Sequence, residues 1–161
     1  MQSLAEALIL VVVANSAPIL ARQTPLLGKF TYPVDGNAYF FDGRRLLGSS
    51  KTWRGVIATL LLTSICSVVL QHSWLTGLVV GLLAMLGDSL SSFIKRRLGM
   101  PPSKMAFGID QIPESLLPIV YLHYLWQFGW ASVWGLVLVF IVLELTLSQL
   151  LFRLHIRKRP Y

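Results

Sequence analysis

Charge is scarce in this sequence. Only 13% of its 161 residues are Asp, Glu, Lys or Arg, whereas 55% are hydrophobic and the mean hydropathy is +0.65. A water-soluble domain of this size needs far more charge to cover its surface, so the composition implies an integral membrane protein. Cysteine is nearly absent. Cys66 stands alone inside an apolar run, which excludes a disulfide or thiolate-metal framework within one chain and leaves it as small hydrophobic filler. No Lys or Arg precedes the first apolar run, which argues against a cleavable signal peptide. His72, His123 and His155 form no metal-ligand spacing, and no GxxxxGK[ST] loop is present, so a P-loop mechanism lacks support. Low-complexity tracts and internal repeats are missing as well.

What remains is an alternation of apolar segments and cationic loops. Five segments stand out: Ser3–Ala21, Gly55–His72, Trp74–Ile94, Ile109–Phe128 and Trp130–Phe152. Each comes close to the roughly 20 residues that a helix needs to cross a bilayer. Ser115 to Leu143 carries no charge, and the break is placed at Gln127-Phe128-Gly129 because tandem spans need a turn. Arg22, Lys29, Arg44, Arg45, Lys51 and Arg54 fall between the first and second segments. Lys95, Arg96, Arg97 and Lys104 fall between the third and fourth, while Arg153, Arg157, Lys158 and Arg159 follow the fifth. All 14 Lys and Arg therefore share one side, and the two opposite loops hold none. By the positive-inside rule that side is cytoplasmic, with the N-terminus outside. The expected fold is an all-α integral membrane domain of five spans and two long cytoplasmic loops. Tryptophans 53, 74, 126, 130 and 134 suit interfacial belts. The net charge of +7 is thus accounted for by topology, not by binding to nucleic acid.

Polar chemistry gathers on the cationic side. In "GDSLSSFIKRR", Gly87 to Arg97, helical spacing puts Asp88, Ser91 or Ser92, and Lys95 on one face. A carboxylate inside an apolar helix is costly unless paired, hydrated or bound to a cation. An Asp88–Lys95 pair is the bland reading, and a phosphate chain met by Lys95 and Arg96 the sharper one. "FGIDQIPES", Phe107 to Ser115, sets Asp110 and Glu114 four apart at a helix start. There they either cap the helix or join Asp88 in holding Mg²⁺ together with substrate phosphates. A third stretch, "YPVDGNAYFFDGRRLLGSSKTWRG", has glycines that allow backbone N–H groups to converge on an anion. Asp35, Asp42, Gly43, Lys51 and Arg54 are its candidate nucleotide or phosphate contacts. Asn15 and Pro18 of "ANSAP" are polar and helix-breaking within the first segment, and they suggest a kink toward a polar cavity, with Asn15 a further candidate nucleotide or phosphate contact. Glu144 is an intramembrane acid, read either as a partner for a neighbouring span or as part of a lipid or proton site.

Two carboxylates, several cations and glycine turns on a body dissolved in lipid suit transfer of a nucleotide to a lipid phosphate. Such a reaction needs no protein nucleophile, because the lipid phosphate oxygen attacks the α-phosphorus. "PVDG…FFDGRRLLGSSKTWRG" together with "GDSLSSFIKRRLGMPPS…GIDQ" resembles the CDP-archaeol synthase family, relatives of the phosphatidate cytidylyltransferases, over nearly the whole chain. The resemblance implies CTP and Mg²⁺, release of pyrophosphate and a CDP-lipid product. It implies Asp88 as a metal carboxylate, Lys95-Arg96 as phosphate contacts and Lys51 and Arg54 as nucleotide or phosphate contacts. Asp110 would open the family's second acidic motif. That motif is expected as Asp-x-x-Asp, but Pro113 stands at its fourth place and Glu114 follows; either Glu114 takes the role one position later or the role is lost. A homodimer around a lipid-sized site is compatible with the chain length. The competing expectation is a non-catalytic membrane protein or small ion-coupled transporter, which should carry polar residues through to the far face. A CDP-alcohol phosphotransferase is a poorer match, since Asp42-Gly43-Arg44-Arg45 does not extend into that family's acidic array.

Overall fold

Ser3 and Glu6 start the first helix by exchanging bonds. Glu6 N–H donates to Ser3 Oγ at 3.2 Å, and Ser3 N–H donates to Glu6 Oε2 at 2.9 Å, a capping box. The computed structural model describes residues 3–23, 31–101 and 104–153. They form five helices: α1 (Leu4–Gln23), α2 (Trp53–Val69), α3 (Trp74–Arg97), α4 (Gln111–Trp126) and α5 (Trp130–Arg153). Thr52 caps α2 and Ser73 caps α3 through their side chains. Gln71 and Gln127, both with φ near 60°, reverse the chain after α2 and α4. Among the described residues the only β pairing is two isolated bridges, Pro33 with Thr52 and Tyr39 with Arg45.

The five-helix count matches the sequence expectation; the segment lengths match it less well. Leu4–Arg22, Trp74–Arg97 and Trp130–Leu150 are long and apolar enough to cross a membrane. The α2 helix has 17 residues and α4 has 16. The expected fourth segment loses Ile109 and Asp110 at one end, where the chain turns through residues 107–110, and Gln127 and Phe128 at the other. Lys29, Arg157, Lys158 and Arg159 lie outside the described residues.

Helix α1 runs through the middle of the bundle and packs on the other four helices. Its inward residues, Ala7, Leu10, Val11, Ala14, Ala17 and Ala21, are buried and mostly small, which lets neighbouring backbones come close. Pro18 removes the N–H that would bond the Ala14 carbonyl. Thr59 of α2 replaces it, donating its hydroxyl to Ala14 O at 3.2 Å, and α1 continues as helix past the proline. Asn15 is likewise satisfied within its own helix, by Val11 O at 3.0 Å. Against α2, helix α3 presents Gly77 and Gly81, where an added Cβ would strike the Thr63 backbone or hydroxyl. Against α4 it presents Gly87, where a Cβ would overlap the Pro113 carbonyl. That crossing places the residue after Gly87 beside the start of α4.

Alternating helix directions give the bundle two unlike ends. One gathers Glu6, His72 and Trp126: His72 Nε2 lies 3.1 Å from Glu6 Oε2 and its ring sits 4.7 Å from that of Trp126. The other collects the starts of α2 and α4, the end of α3, and loops 31–52 and 98–110, with most of the charge.

Candidate active site at the cationic end of the bundle

Two carboxylates are each held by a lysine from a different part of the chain. Lys51 Nζ, at the end of the first loop, lies 2.5 Å from Asp88 Oδ1 on α3. Lys95 Nζ, two turns further along α3, lies 2.6 Å from Asp110 Oδ1 and donates to Lys104 O at 3.0 Å. The bland expectation of an Asp88–Lys95 pair is therefore not what forms. Asp88 and Lys95 do share a face of α3, but each reaches outward to a separate element.

Asp110 sits at the N-cap position of α4 without bonding the helix N–H groups, because its own backbone is already helical. Its Oδ2 turns back to accept Ala106 N–H at 2.9 Å. Capping is thus excluded for Asp110, whose side chain is directed to the loop and to Lys95. Glu114, one turn on, is buried and lies within electrostatic reach of Asp88, Glu144, Lys51 and Asp110. Charges from α3, α5 and the first loop thus act on Glu114. Ser91 and Ser92 are buried as well, and Ser91 Oγ donates to Asp88 O at 2.9 Å.

Arginines line the same end. Arg96 is only 6% exposed, and its Nη2 donates to Pro101 O at 2.9 Å, while Nε and Nη1 find no hydrogen-bond acceptor among the described residues. Arg54 Nε is likewise buried without one. Buried donors left unpaired cost about 1–3 kcal/mol each, and an anion such as a phosphate would satisfy them.

Asp35, Asp42 and Gly43 are occupied in shaping the loop. Asp35 Oδ2 accepts Leu47 and Gly48 N–H at 3.1 and 3.0 Å, and Oδ1 accepts Asn37 N–H and the Arg45 guanidinium at 3.1 and 2.9 Å. Burial penalises the Asp35 charge, yet the Gly48, Leu47 and Asn37 amides and Arg45 outweigh it and hold the carboxyl below its usual value. A depressed carboxyl stabilises the fold above the unfolded-state value, near 3.9, and that contribution is lost as the pH falls through the lower folded value. Protection of the Leu47 and Gly48 amides, measured as exchange relative to the intrinsic rate at each pH, should therefore be high above about pH 4 and fall below it. Asp35→Asn should show the reduced protection already at neutral pH. Asp42 accepts Arg44 N–H at 3.1 Å and pairs with Arg97 at 2.7 Å, and Gly43, at φ 72°, makes the turn between them. Asn15 makes no hydrogen bond to this cluster.

Two features escaped sequence reading. Arg97 clamps the first loop to α3 through Asp42 and the Arg45 carbonyl (2.7 Å each), while Arg44 Nη1 caps the Arg97 carbonyl at 2.6 Å. Its position beside Lys95 and Arg96 made it look like one more interfacial cation. Gly87 sets the α3–α4 approach, and its only trace in the sequence is a glycine directly before an intramembrane acid.

Among the described residues no three His, Cys, Asp or Glu side chains converge as a metal cage. Asp88 and Asp110 offer the hard oxygen donors that suit Mg²⁺ sharing its coordination with substrate phosphates. Asp110 Oδ1 is buried with the Lys95 ammonium 2.6 Å away, so a cation would bind this oxygen as Lys95 turns aside.

Comparison with known proteins bears on the family and the fold. The family described as CarS-like, CDP-archaeol synthase, matches residues 7–161. A CDP-archaeol synthase of Pyrobaculum arsenaticum is 38% identical over 113 residues, covering 67% of this chain and 66% of that protein. The Sulfurisphaera tokodaii CDP-archaeol synthase is 32% identical over 159 residues, covering 92% and 89%. A solved structure of an intramembrane enzyme for archaeal membrane lipid biosynthesis superposes with a TM-score of 0.70 at 26% identity, over 91% of this chain and 94% of the other.

Proposed function

Since the chain belongs to the CDP-archaeol synthase family, we propose that it transfers CMP from CTP to the phosphate of an archaeol-type lipid, releasing pyrophosphate and forming a CDP-lipid. The whole chain acts as one multi-pass membrane domain with the cationic end facing the cytoplasm, where CTP is found. Clustering of all 14 Lys and Arg on one side supports that orientation. The observation that carries the reading is the pair of lysine-held carboxylates, Lys51–Asp88 and Lys95–Asp110, at that end.

In this reading a lipid phosphate oxygen attacks the α-phosphorus of CTP, the bond to the β-phosphate bridging oxygen breaks, and pyrophosphate leaves. Asp88 and Asp110 would hold Mg²⁺, with Glu114 the candidate for a further acid. When bound, the ion neutralises charge on the phosphates. Lys51 and Lys95, which now neutralise the two aspartates, would turn toward phosphate oxygens. Arg96 and Arg54 would supply their unpaired N–H donors to the same chain of anions. Positioning and electrostatics, with no covalent protein intermediate, then carry the rate. A transporter is a weaker reading: the far end carries the Glu6–His72 pair, but most of the charge stays at the cationic end and Leu10, Val11, Val80, Ile119 and Val133 form an apolar core inside the bundle. Purified protein given labelled CTP, Mg²⁺ and either an archaeol phosphate or a phosphatidate should yield CDP-lipid and pyrophosphate. Folded protein that makes no product from any lipid phosphate would overturn the assignment.

A further inference from the structure

Phe41 is fully exposed, at the tip of a small hairpin whose neighbour Tyr39 is 68% exposed. A single exposed ring is ordinary on a protein surface, but one that extends a larger apolar surface is informative. The hairpin is closed by the Tyr39–Arg45 bridge and by Leu46 N–H donating to Ala38 O at 2.9 Å. It is fastened to one side of α3. Phe40 meets Phe93 edge-on at 5.4 Å, and the Arg97 guanidinium lies 4.7 Å from the Phe40 ring and 5.0 Å from the Phe93 ring.

That side of α3 has a definite identity. Leu82, Leu86 and Leu90 are exposed and recur at helical spacing, continuing through Phe93 to Arg97 along one stripe. On a helix that crosses the bilayer such a stripe faces lipid tails. Asp88, Ser92 and Lys95 lie on the opposite side of the same helix, so the hairpin tip is turned away from the candidate active site. The tip is at the level of the last α3 turn, where the hydrocarbon gives way to headgroups. Other exposed aromatics belong to the same end of the bundle: Trp53, at the start of α2, and Phe107, just before α4.

The geometry points to residues 39–42 as an interfacial anchor, with the Phe41 ring inserted among the lipid headgroups and upper acyl chains of the bilayer that holds the protein. Three features fit that occupant. The tip continues an existing lipid-facing surface. Its one acid, Asp42, is neutralised by Arg97 at 2.7 Å, which removes the charge that would oppose insertion. Arg45 is neutralised by Asp35, but the Arg44 guanidinium bonds only backbone carbonyls among the described residues and its charge suits anionic headgroups, while aromatic rings favour this depth. Anchoring would also steady the loop that carries Lys51.

The test places an environment-sensitive thiol fluorophore at Phe41→Cys in a Cys66→Ala background, with the full chain reconstituted into vesicles of mixed neutral and anionic lipid. The expected result is a blue-shifted emission relative to detergent-free denatured protein, quenching by lipids with a nitroxide near the headgroup, and shielding from aqueous iodide. Phe41 is fully exposed and meets the Phe40 ring edge-on at 5.1 Å; the substitution should leave the fold intact, and unfolding temperature compared with the parent checks this. Quenching by iodide without quenching by the lipid nitroxides would overturn the proposal. So would protection that appears only when CTP is added, which would make the ring a cover for nucleotide. These readouts do not depend on turnover, so they stand or fall apart from the catalytic assignment.

Discussion

Asp88→Asn should lower kcat/KM for CDP-lipid formation by at least about 100-fold, the scale of losing one key electrostatic group from an active site. The substitution preserves size and removes the charge. It leaves Lys51 without the carboxylate 2.5 Å away, so some loss of stability is expected too, because a half-buried cation then has no partner. A second variant separates the two effects. Lys51→Met combined with Asp88→Asn removes both charges together, which should restore most of any lost stability. Because Lys51 is itself a proposed phosphate contact, Lys51→Met alone is the reference for activity. If Asp88 serves only as a structural partner of Lys51, the double variant should be as active as Lys51→Met. If Asp88 holds the cation that accompanies CTP, the double variant should unfold like the parent yet be far less active than Lys51→Met. Equal activity of those two variants, or near-parental activity in Asp88→Asn, would return the aspartate to a packing role.

The second large effect is expected from one methyl group. A Cβ at Gly87 would lie 2.6 Å from Glu114 Cα and closer still to the Pro113 carbonyl. Both are backbone atoms and cannot swing aside, so α3 and α4 must separate. Overpacking of this kind costs about 1–3 kcal/mol. The catalytic consequence should be larger, since Asp88 sits on one of the separating helices and Glu114 on the other, with Asp110 at its start. Displacement by about 1 Å at a reacting site can cost roughly 100-fold in rate. Gly87→Ala should therefore show a lower unfolding midpoint in detergent and a kcat depressed well beyond what the remaining folded fraction explains. Gly135→Ala is the control: no atom lies within 4 Å of a Cβ there, and the change should be neutral or slightly stabilising. Equal behaviour of the two variants would mean that the α3–α4 crossing does not set the site.

The number of helices and the clustering of cations follow from residue order alone. Hydrophobic runs must be long enough to satisfy backbone hydrogen bonds inside a bilayer, and charges are excluded from them at a cost of several kcal/mol, so both leave a direct trace in the chain. The family likeness was legible for a related reason: the acids, lysines and glycines of "DGRRLLGSSKTWRG" and "GDSLSSFIKRR" are chemically distinctive against an apolar background. Partnership was not legible. Sequence spacing offered Asp88 to Lys95 along one helix face, and the fold gave Asp88 to Lys51, 37 positions away, and Lys95 to Asp110. The close approach at Gly87 lets α3 meet α4, and Arg97 with Arg44 draws the first loop over the end of α3. Asp35 and Asp42, read as nucleotide contacts because of their Asp-Gly steps, also hold the loop: both oxygens of Asp35 and Oδ1 of Asp42 accept from loop amides and arginines. Such choices depend on which distant group reaches a charge first with its backbone already paid in entropy, and that competition exists only in the packed chain.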